Sequence, residues 1–145
     1  MNHPKIIFAF AVSDSNKFEA KHFGDVDKYL IYEYCNESFN LLSHQTNTSK
    51  DLDEKQLNES IEKGNSIVKL LTDHKVQVLV SLQFGQNIKM INKHFIPVAI
   101  HDPNTEEIFK ILLKNMKWII DELEINPPEF RLFSINTGVL KSSIK

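Results

Sequence analysis

Cysteine is nearly absent from the sequence, and this scarcity excludes several kinds of site. The chain has one cysteine, Cys35, among 145 residues. A single cysteine permits no disulfide within the chain and favours a reducing compartment. It also excludes a zinc or iron–sulfur motif built from several cysteines of one chain.

The sequence also lacks a strong charge of one sign and a long hydrophobic run. Lysine and arginine number 17 and aspartate and glutamate number 19, which leaves a formal net charge of −2. We therefore expect no nucleic acid partner, because general binding to a phosphate backbone requires a basic face. The apolar run at 6–12 is far shorter than the roughly 20 residues of a membrane span, and no signal-peptide pattern surrounds it. We expect a cytoplasmic protein without membrane contact.

What the sequence does contain is a succession of strand and helix patterns. Apolar, aromatic and β-branched runs predict five strands, at residues 6–12, 29–34, 39–44, 76–82 and 95–100. Helical spacing predicts a long helix at 57–74, a short one at 87–93, and a long last helix that Pro127-Pro128 ends. The order β-β-β-α-β-α-β-α predicts an α/β domain with helices on both faces of the sheet. The early hairpin makes this sheet mixed.

Local residue patterns refine three of these elements. Asp51 and Glu54 have the spacing of a capping box before the first long helix. Ile61 and Gly64 lie on the apolar stripe of that helix, and the glycine predicts a close approach to the sheet. Pro97 predicts that the fifth strand lies at an edge, because proline cannot donate to a ladder.

The last part of the chain has two structural interpretations. Met116, Trp118 and Ile119 place apolar side chains on more than one face of the last helix, and residues 130–135 alternate like an edge strand. In the first interpretation two copies pack through these tails as a homodimer. In the second the tail folds back over its own sheet.

The tripeptide His22-Phe23-Gly24 is the first candidate site. It follows the first strand, and loops at the carboxyl ends of parallel strands are where open α/β sheets bind ligands. The imidazole of His22 suits a metal ion or an anionic cofactor. Alternatively, His22 bonds a backbone carbonyl and fixes the turn. Gly24 predicts either a positive φ or a close backbone approach.

The segment Phe84-Gly85-Gln86 is the second candidate site. It follows the fourth strand and precedes a short helix, where exposed amides suit a phosphate or carboxylate. Phe23 and Phe84 either pack the loops or line a pocket. Asp14, Asp25 and Asp27 do not complete a two-metal nuclease site, and no nucleophile motif is present. We expect a protein that is not an enzyme.

The ordered set of these segments resembles the dinitrogenase iron-molybdenum cofactor biosynthesis family, whose NifX-like domain also occurs at the end of NifB-type proteins. The similarity runs from about residue 6 to residue 113. Its anchors are the opening strand IIFAFAVSD, His22-Phe23-Gly24 with the following YLIY, Gly64 with IVKLL, Gly85 before Asn87, and TEE at 105–107.

This resemblance implies a fold, a function and a site. The fold would be a ribonuclease H-like, three-layer α/β/α domain with a mixed five-stranded sheet at 1–113, followed by a helix extension and tail at 114–145. The function would be non-enzymatic binding or transport of an iron–sulfur or iron–molybdenum cofactor, with a cofactor-donor or cofactor-acceptor protein as partner. The site would comprise His22 as metal ligand with the neighbouring residues Phe23, Gly24, Phe84, Gly85 and Gln86.

Departures from the family pattern favour an alternative function. Lys21 replaces a frequent glutamate, Leu82-Gln83 replaces a glycine pair, and residues 45–48 contain neither histidine nor cysteine. Residues 101–104 likewise replace a glycine-rich segment. The alternative is a regulatory or protein-interaction module that keeps the fold and has lost the cofactor.

Overall fold

The computed structural model describes residues 5–18, 21–48, 57–85, 88–101, 105–136 and 139–143. Seven strands occur in these ranges: β1 (Ile6–Val12), β2 (Lys28–Cys35), β3 (Ser38–Thr46), β4 (Val78–Ser81), β5 (Ile96–Ile100), β6 (Leu132–Asn136) and β7 (Val139–Ser143). The helices are α1 (Leu57–Asp73), α2 (Ile88–Ile91), α3 (Thr105–Lys114) and α4 (Met116–Ile125). A 3₁₀ turn spans Phe23–Asp25.

One mixed sheet holds these strands in the order β3-β2-β1-β4-β5-β6-β7. The pairs β1/β2, β2/β3 and β6/β7 are antiparallel, whereas β1/β4, β4/β5 and β5/β6 are parallel. The predicted α/β class and mixed sheet are confirmed. The predicted count of five strands is too low, because the tail adds β6 and β7. The pattern of β7, VLKSS, has too few apolar residues to predict a strand.

The position predicted for β5 is wrong. This strand pairs with β4 on one side and β6 on the other. Ile96 donates its backbone N–H to Gln77 O on the side of β4. Because successive backbone nitrogens point to opposite sides of a strand, the nitrogen of Pro97 faces β6. The β5/β6 ladder begins one residue later, at Val98. Pro97 therefore lies inside the sheet without removing a ladder bond.

Two clusters of buried side chains lie on opposite faces of the sheet. The cluster beside α3 and α4 includes Phe8, Phe10, Ile108, Leu112 and Ile119. The cluster beside α1 includes Ala9, Ala11, Ile67 and Leu71. Successive residues of β1 alternate between these clusters, and its small alanines face α1. The buried Gly64 agrees with a close approach of this helix.

The buried stripe of α1 differs from the predicted one. Ile61 is exposed, while Lys63, Ile67 and Leu71 are almost completely buried. These three residues repeat every four positions and therefore share one helix face. The capping-box prediction for Asp51 and Glu54 lies outside the described residues.

The predicted long last helix consists of two helices. Asn115 separates α3 from α4 with φ −108° and ψ 13°, and its side-chain amide donates to Ile111 O at 2.9 Å. Because an asparagine side chain competes for backbone hydrogen bonds, it favours such a break. Asn126 then ends α4 in the left-handed conformation, with φ 48°.

The tail extends its own sheet, because β6 pairs with β5 and β7 pairs with β6. Phe130, Phe133 and Ile135 join the same buried cluster as the aromatic residues of β1. The backbone N–H of Arg131 donates to Glu122 Oε2 at 2.9 Å. The interpretation in which the tail packs within its own chain is therefore the one the described residues adopt, and the boundary at residue 113 stays a prediction. In the described part of the chain, no helix has the length and hydropathy of a membrane span.

Candidate functional site

The two predicted site loops meet at the carboxyl ends of β1 and β4. These strands are parallel neighbours, yet the chain continues from β1 to β2 on one side and from β4 to β5 on the other. Beyond their ends, His22 and Gln83 pair in a parallel β-bridge. The loops therefore adjoin at a topological switch point, the position where open α/β sheets bind ligands.

Aromatic packing holds the two loops against each other. The rings of Phe23 and Phe84 stack with centroids 5.3 Å apart and planes 22° apart. Phe23 is fully buried, and its carbonyl accepts a hydrogen bond of 2.9 Å from the Tyr29 hydroxyl. Of the two predicted roles for these phenylalanines, loop packing is the one that the contacts show.

Gly24 lies inside the 3₁₀ turn and is buried. The Asn47 side-chain amide donates to Gly24 O at 2.9 Å and to Val26 O at 2.8 Å. The missing Cβ therefore fits the close-approach interpretation of this glycine.

Four residues line a shallow pocket of about 250 Å³ at the junction of the loops: Lys21, His22, Asp25 and Gln83. The His22 side chain is 45% exposed, and its Nδ1 lies 3.9 Å from Asp25 Oδ2. The other carboxylate oxygen of Asp25 accepts a hydrogen bond from Lys63 Nζ. Lys63 reaches it from α1 with only 1% of its side chain exposed.

Of the six predicted site residues, His22 lines this pocket. Phe23, Gly24 and Phe84 build the loops behind it. Gly85 O accepts the Ile88 N–H at 3.2 Å at the start of α2, which is only four residues long. Gln86 lies outside the described residues. The roles of all six in ligand binding stay predictions.

Sequence reasoning did not select Lys21, Asp25 and Gln83 as pocket residues. Gln83 joins the pocket because it forms a β-bridge with His22. The Ser81 hydroxyl holds Gln83 in place by donating to Gln83 O at 2.8 Å. No sequence pattern indicates this pairing. Lys63 did carry a signal, because it lies four and eight residues before the buried Ile67 and Leu71. A lysine on a buried stripe predicts a carboxylate partner.

The side chains of the pocket fit a metal cluster that is bound through one ligand, the imidazole of His22. Within the described residues, no group of three or more His, Cys, Asp or Glu side chains could hold a metal ion. Cys35 pairs with Ser38 at the hairpin between β2 and β3. This hairpin lies at the amino end of β1, whereas His22 lies beyond its carboxyl end. One imidazole suits a preassembled cluster that keeps its own bridging sulfides, and it does not suit assembly of a cluster from free ions.

Comparison with known proteins gives a family for this chain. A search of the curated proteins found no match. The family model described as dinitrogenase iron-molybdenum cofactor matches residues 4–114. This match covers most of the chain, including both loops of the pocket, and it confirms the resemblance seen in the sequence. The chain belongs to the dinitrogenase iron-molybdenum cofactor family.

Proposed function

We propose that this chain is a cytoplasmic accessory protein of iron–molybdenum cofactor biosynthesis that binds an iron–sulfur or iron–molybdenum cluster as cargo. The cargo would be received from a donor protein and delivered to an acceptor protein. Capture and delivery require binding and release, with no general base or nucleophile. The chain would act as a carrier and not as an enzyme.

The observation that carries the proposal is the β-bridge between His22 and Gln83. It joins the histidine loop and the glycine loop, two segments that are more than 60 residues apart in the sequence. The resulting pocket adjoins the switch point of the sheet. The class of cargo in this proposal is taken from the family to which the chain belongs.

The chemistry of the pocket supports an anionic cluster as cargo. His22 supplies a nitrogen donor of the kind that binds iron and other transition metals. Lys21 brings a positive charge to the pocket rim, and Gln83 brings an amide. Phe23, Gly24, Phe84, Gly85 and Gln86 would shape the loops around the cargo.

The topology of the first five strands supports the expected ribonuclease H-like core. Their order is β3-β2-β1-β4-β5, and β2 runs antiparallel to both of its neighbours. Buried clusters on both faces agree with three layers. In this proposal β6 and β7 are an addition to a five-stranded core.

Anaerobic reconstitution tests the carrier function. Purified protein would be incubated with a preassembled iron–sulfur cluster or with isolated iron–molybdenum cofactor, and bound metal and visible absorption would be measured after gel filtration. We expect stoichiometric metal in the wild type, loss of metal in His22→Ala, and retention in His94→Ala. His94 is an exposed histidine just before β5, so it controls for loss of any imidazole. A wild type that takes up no metal under conditions that load another family member would overturn the proposal.

A second candidate function follows from α4, which lies outside the family match. Trp118 is 57% exposed and Ile125 is 67% exposed, and their spacing of seven residues places them on one face of the helix. This surface favours a regulatory or protein-interaction module without cofactor binding. A homodimer through the C-terminal extension would use the same surface of α4.

Molar mass measurement by light scattering during gel filtration distinguishes these functions. A dimer that Trp118→Glu converts to a monomer, together with no metal uptake by the wild type, would establish the interaction module. A monomer at all concentrations would contradict the homodimer. The exposed Lys117→Glu variant on the same helix controls for the added negative charge.

A further inference from the structure

We infer that Asp25, held by the buried ammonium of Lys63, is the positioning residue for the imidazole ring of His22. The inference rests on the proposed function, since it assigns a role at the same pocket. It concerns which ring nitrogen meets the cargo and how firmly the ring is held.

The two oxygens of the Asp25 carboxylate have different neighbours. Oδ1 accepts a hydrogen bond from Lys63 Nζ, and Oδ2 lies 3.9 Å from Nδ1 of His22. A carboxylate bound at one oxygen has a fixed plane, which sets the position of the other oxygen. The Nδ1 side of the imidazole therefore meets an oriented negative charge, and we assign cargo binding to Nε2. A carboxylate behind a ligand histidine fixes the tautomer and the orientation of its ring.

The anchor of this arrangement is the position of Lys63 in the fold. Its side chain is 1% exposed and shares a helix face with Ile67 and Leu71 in the core. A buried lysine of this kind has few alternative rotamers. Lys63 reaches Asp25 from α1, so the helix sets where the carboxylate lies.

The backbone between His22 and Asp25 is also fixed. Asp25 N–H donates to His22 O at 2.9 Å and closes the turn. Tyr29 bonds the carbonyl of Phe23, and Asn47 bonds the carbonyl of Gly24. His22 and Asp25 are three residues apart on one turn, so the contact between their side chains does not depend on the motion of a separate loop.

The exposed ion pair between Lys69 and Asp73 on α1 provides matched controls. Its nitrogen–oxygen distance is 3.1 Å, with 78% and 60% of the side chains exposed. Asp25→Asn is compared with Asp73→Asn, and both replace a carboxylate by an amide of the same shape. Because Asp25→Asn leaves the Lys63 ammonium buried without this carboxylate, the double variant Asp25→Asn/Lys63→Met is measured as well. Circular dichroism establishes that each variant is folded.

The first readout needs no metal. Nitrogen-15 NMR of the imidazole at one fixed pH reports the tautomer of His22 in the metal-free protein. We expect the Nδ1–H form in the wild type and in Asp73→Asn. We expect a mixture of tautomers in the Asp25 single and double variants. An unchanged His22 tautomer in a folded Asp25 variant would overturn the inference.

The second readout separates this inference from the proposed function. Isolated iron–molybdenum cofactor is titrated anaerobically into each variant, and we expect the Asp25 variants to bind about tenfold more weakly than the wild type. Wild-type affinity in the Asp25 variants, with binding abolished by His22→Ala, would overturn the positioning role and leave the carrier function standing. Full affinity in His22→Ala would overturn the assignment of His22 as ligand.

Discussion

The pocket has two walls of different construction. The turn wall, residues 21–25, is bonded by side chains from β2, from α1 and from the residue after β3, namely Tyr29, Lys63 and Asn47. In the described part of the chain, the loop wall, residues 81–85, is held by the Ser81 hydroxyl, by the half-buried ring of Phe84 and by the bridge from Gln83 to His22. The turn wall carries the candidate ligand His22, and the loop wall contributes Gln83.

This difference bears on how a carrier would work. A ligand histidine on a fixed turn needs little reorganisation when cargo binds, because the ordering has been completed during folding. A loop with fewer bonds opens at a smaller free-energy cost. We expect the turn wall to determine affinity and the loop wall to determine the rate of release.

Truncation of the stacked phenylalanines should distinguish the walls most strongly. Phe23→Ala removes a fully buried ring, and we expect a loss of about 3–5 kcal/mol in the free energy of unfolding. Phe84→Ala removes a half-buried ring from the other side of the stack, and we expect about 1–2 kcal/mol. Guanidinium unfolding measures both. Equal losses of unfolding free energy in the two variants would contradict the difference between the walls, because both phenylalanines would then contribute equally to the core.

The next effect concerns the hydrogen bonds of Asn47. Its side-chain amide donates to two backbone carbonyls of the buried turn. Asn47→Ala removes both bonds, and we expect a loss of about 2 kcal/mol. Asn40→Ala changes an exposed asparagine on β3 and should alter stability by less than about 0.5 kcal/mol.

Hydrogen exchange locates the effect of Asn47. The amide of Asp25, which donates to His22 O, should exchange faster in Asn47→Ala, whereas amides of the β5/β6 ladder should lose protection only to the extent that global stability falls. Uniformly increased exchange throughout the sheet would show that Asn47 supports the whole fold and not the turn wall.

A smaller effect is expected from Ser81 in the loop wall. Its hydroxyl is buried and donates to Gln83 O at 2.8 Å, so Ser81→Ala should lower the free energy of unfolding by about 1 kcal/mol. Ser38→Ala removes a similar bond, from Ser38 Oγ to Cys35 O, at an exposed turn, and should lower it by less. Urea unfolding of both variants measures the difference, and a greater loss in Ser38→Ala would contradict the role of Ser81.

Strong local patterns explain which parts of the fold were predictable. The apolar runs of β1 and β2 and the stripe of α1 predict their elements, because burial on a regular face leaves a regular period in the sequence. The strand β7 has no such period. The break at Asn115 was missed because the apolar spacing continues through it from Leu112 to Met116.

The candidate site was predictable at its glycine loops and not in its contacts. His22 could be selected because it adjoins a glycine after a strand. Gln83 could not, because its pairing with His22 depends on the register of β1 beside β4. Lys63 is the intermediate case, since its place among buried residues of α1 indicates a partner without naming Asp25.

The smallest predicted effect tests whether alkaline sensitivity arises away from both walls. Burial raises the pKa of the Tyr32 hydroxyl above its ordinary value of 10.0, and this ring packs with Phe10 and Phe109 on the sheet face opposite α1. The neutral hydroxyl is favoured in the folded state, so its contribution to stability is complete below pH 10 and is lost as pH rises through the folded pKa. Tyr32→Phe lacks this loss, and the free energies of unfolding of wild type and variant should therefore diverge above pH 10. Urea unfolding at pH 8, 10 and 11 measures the divergence. Parallel curves would assign the alkaline response to other groups.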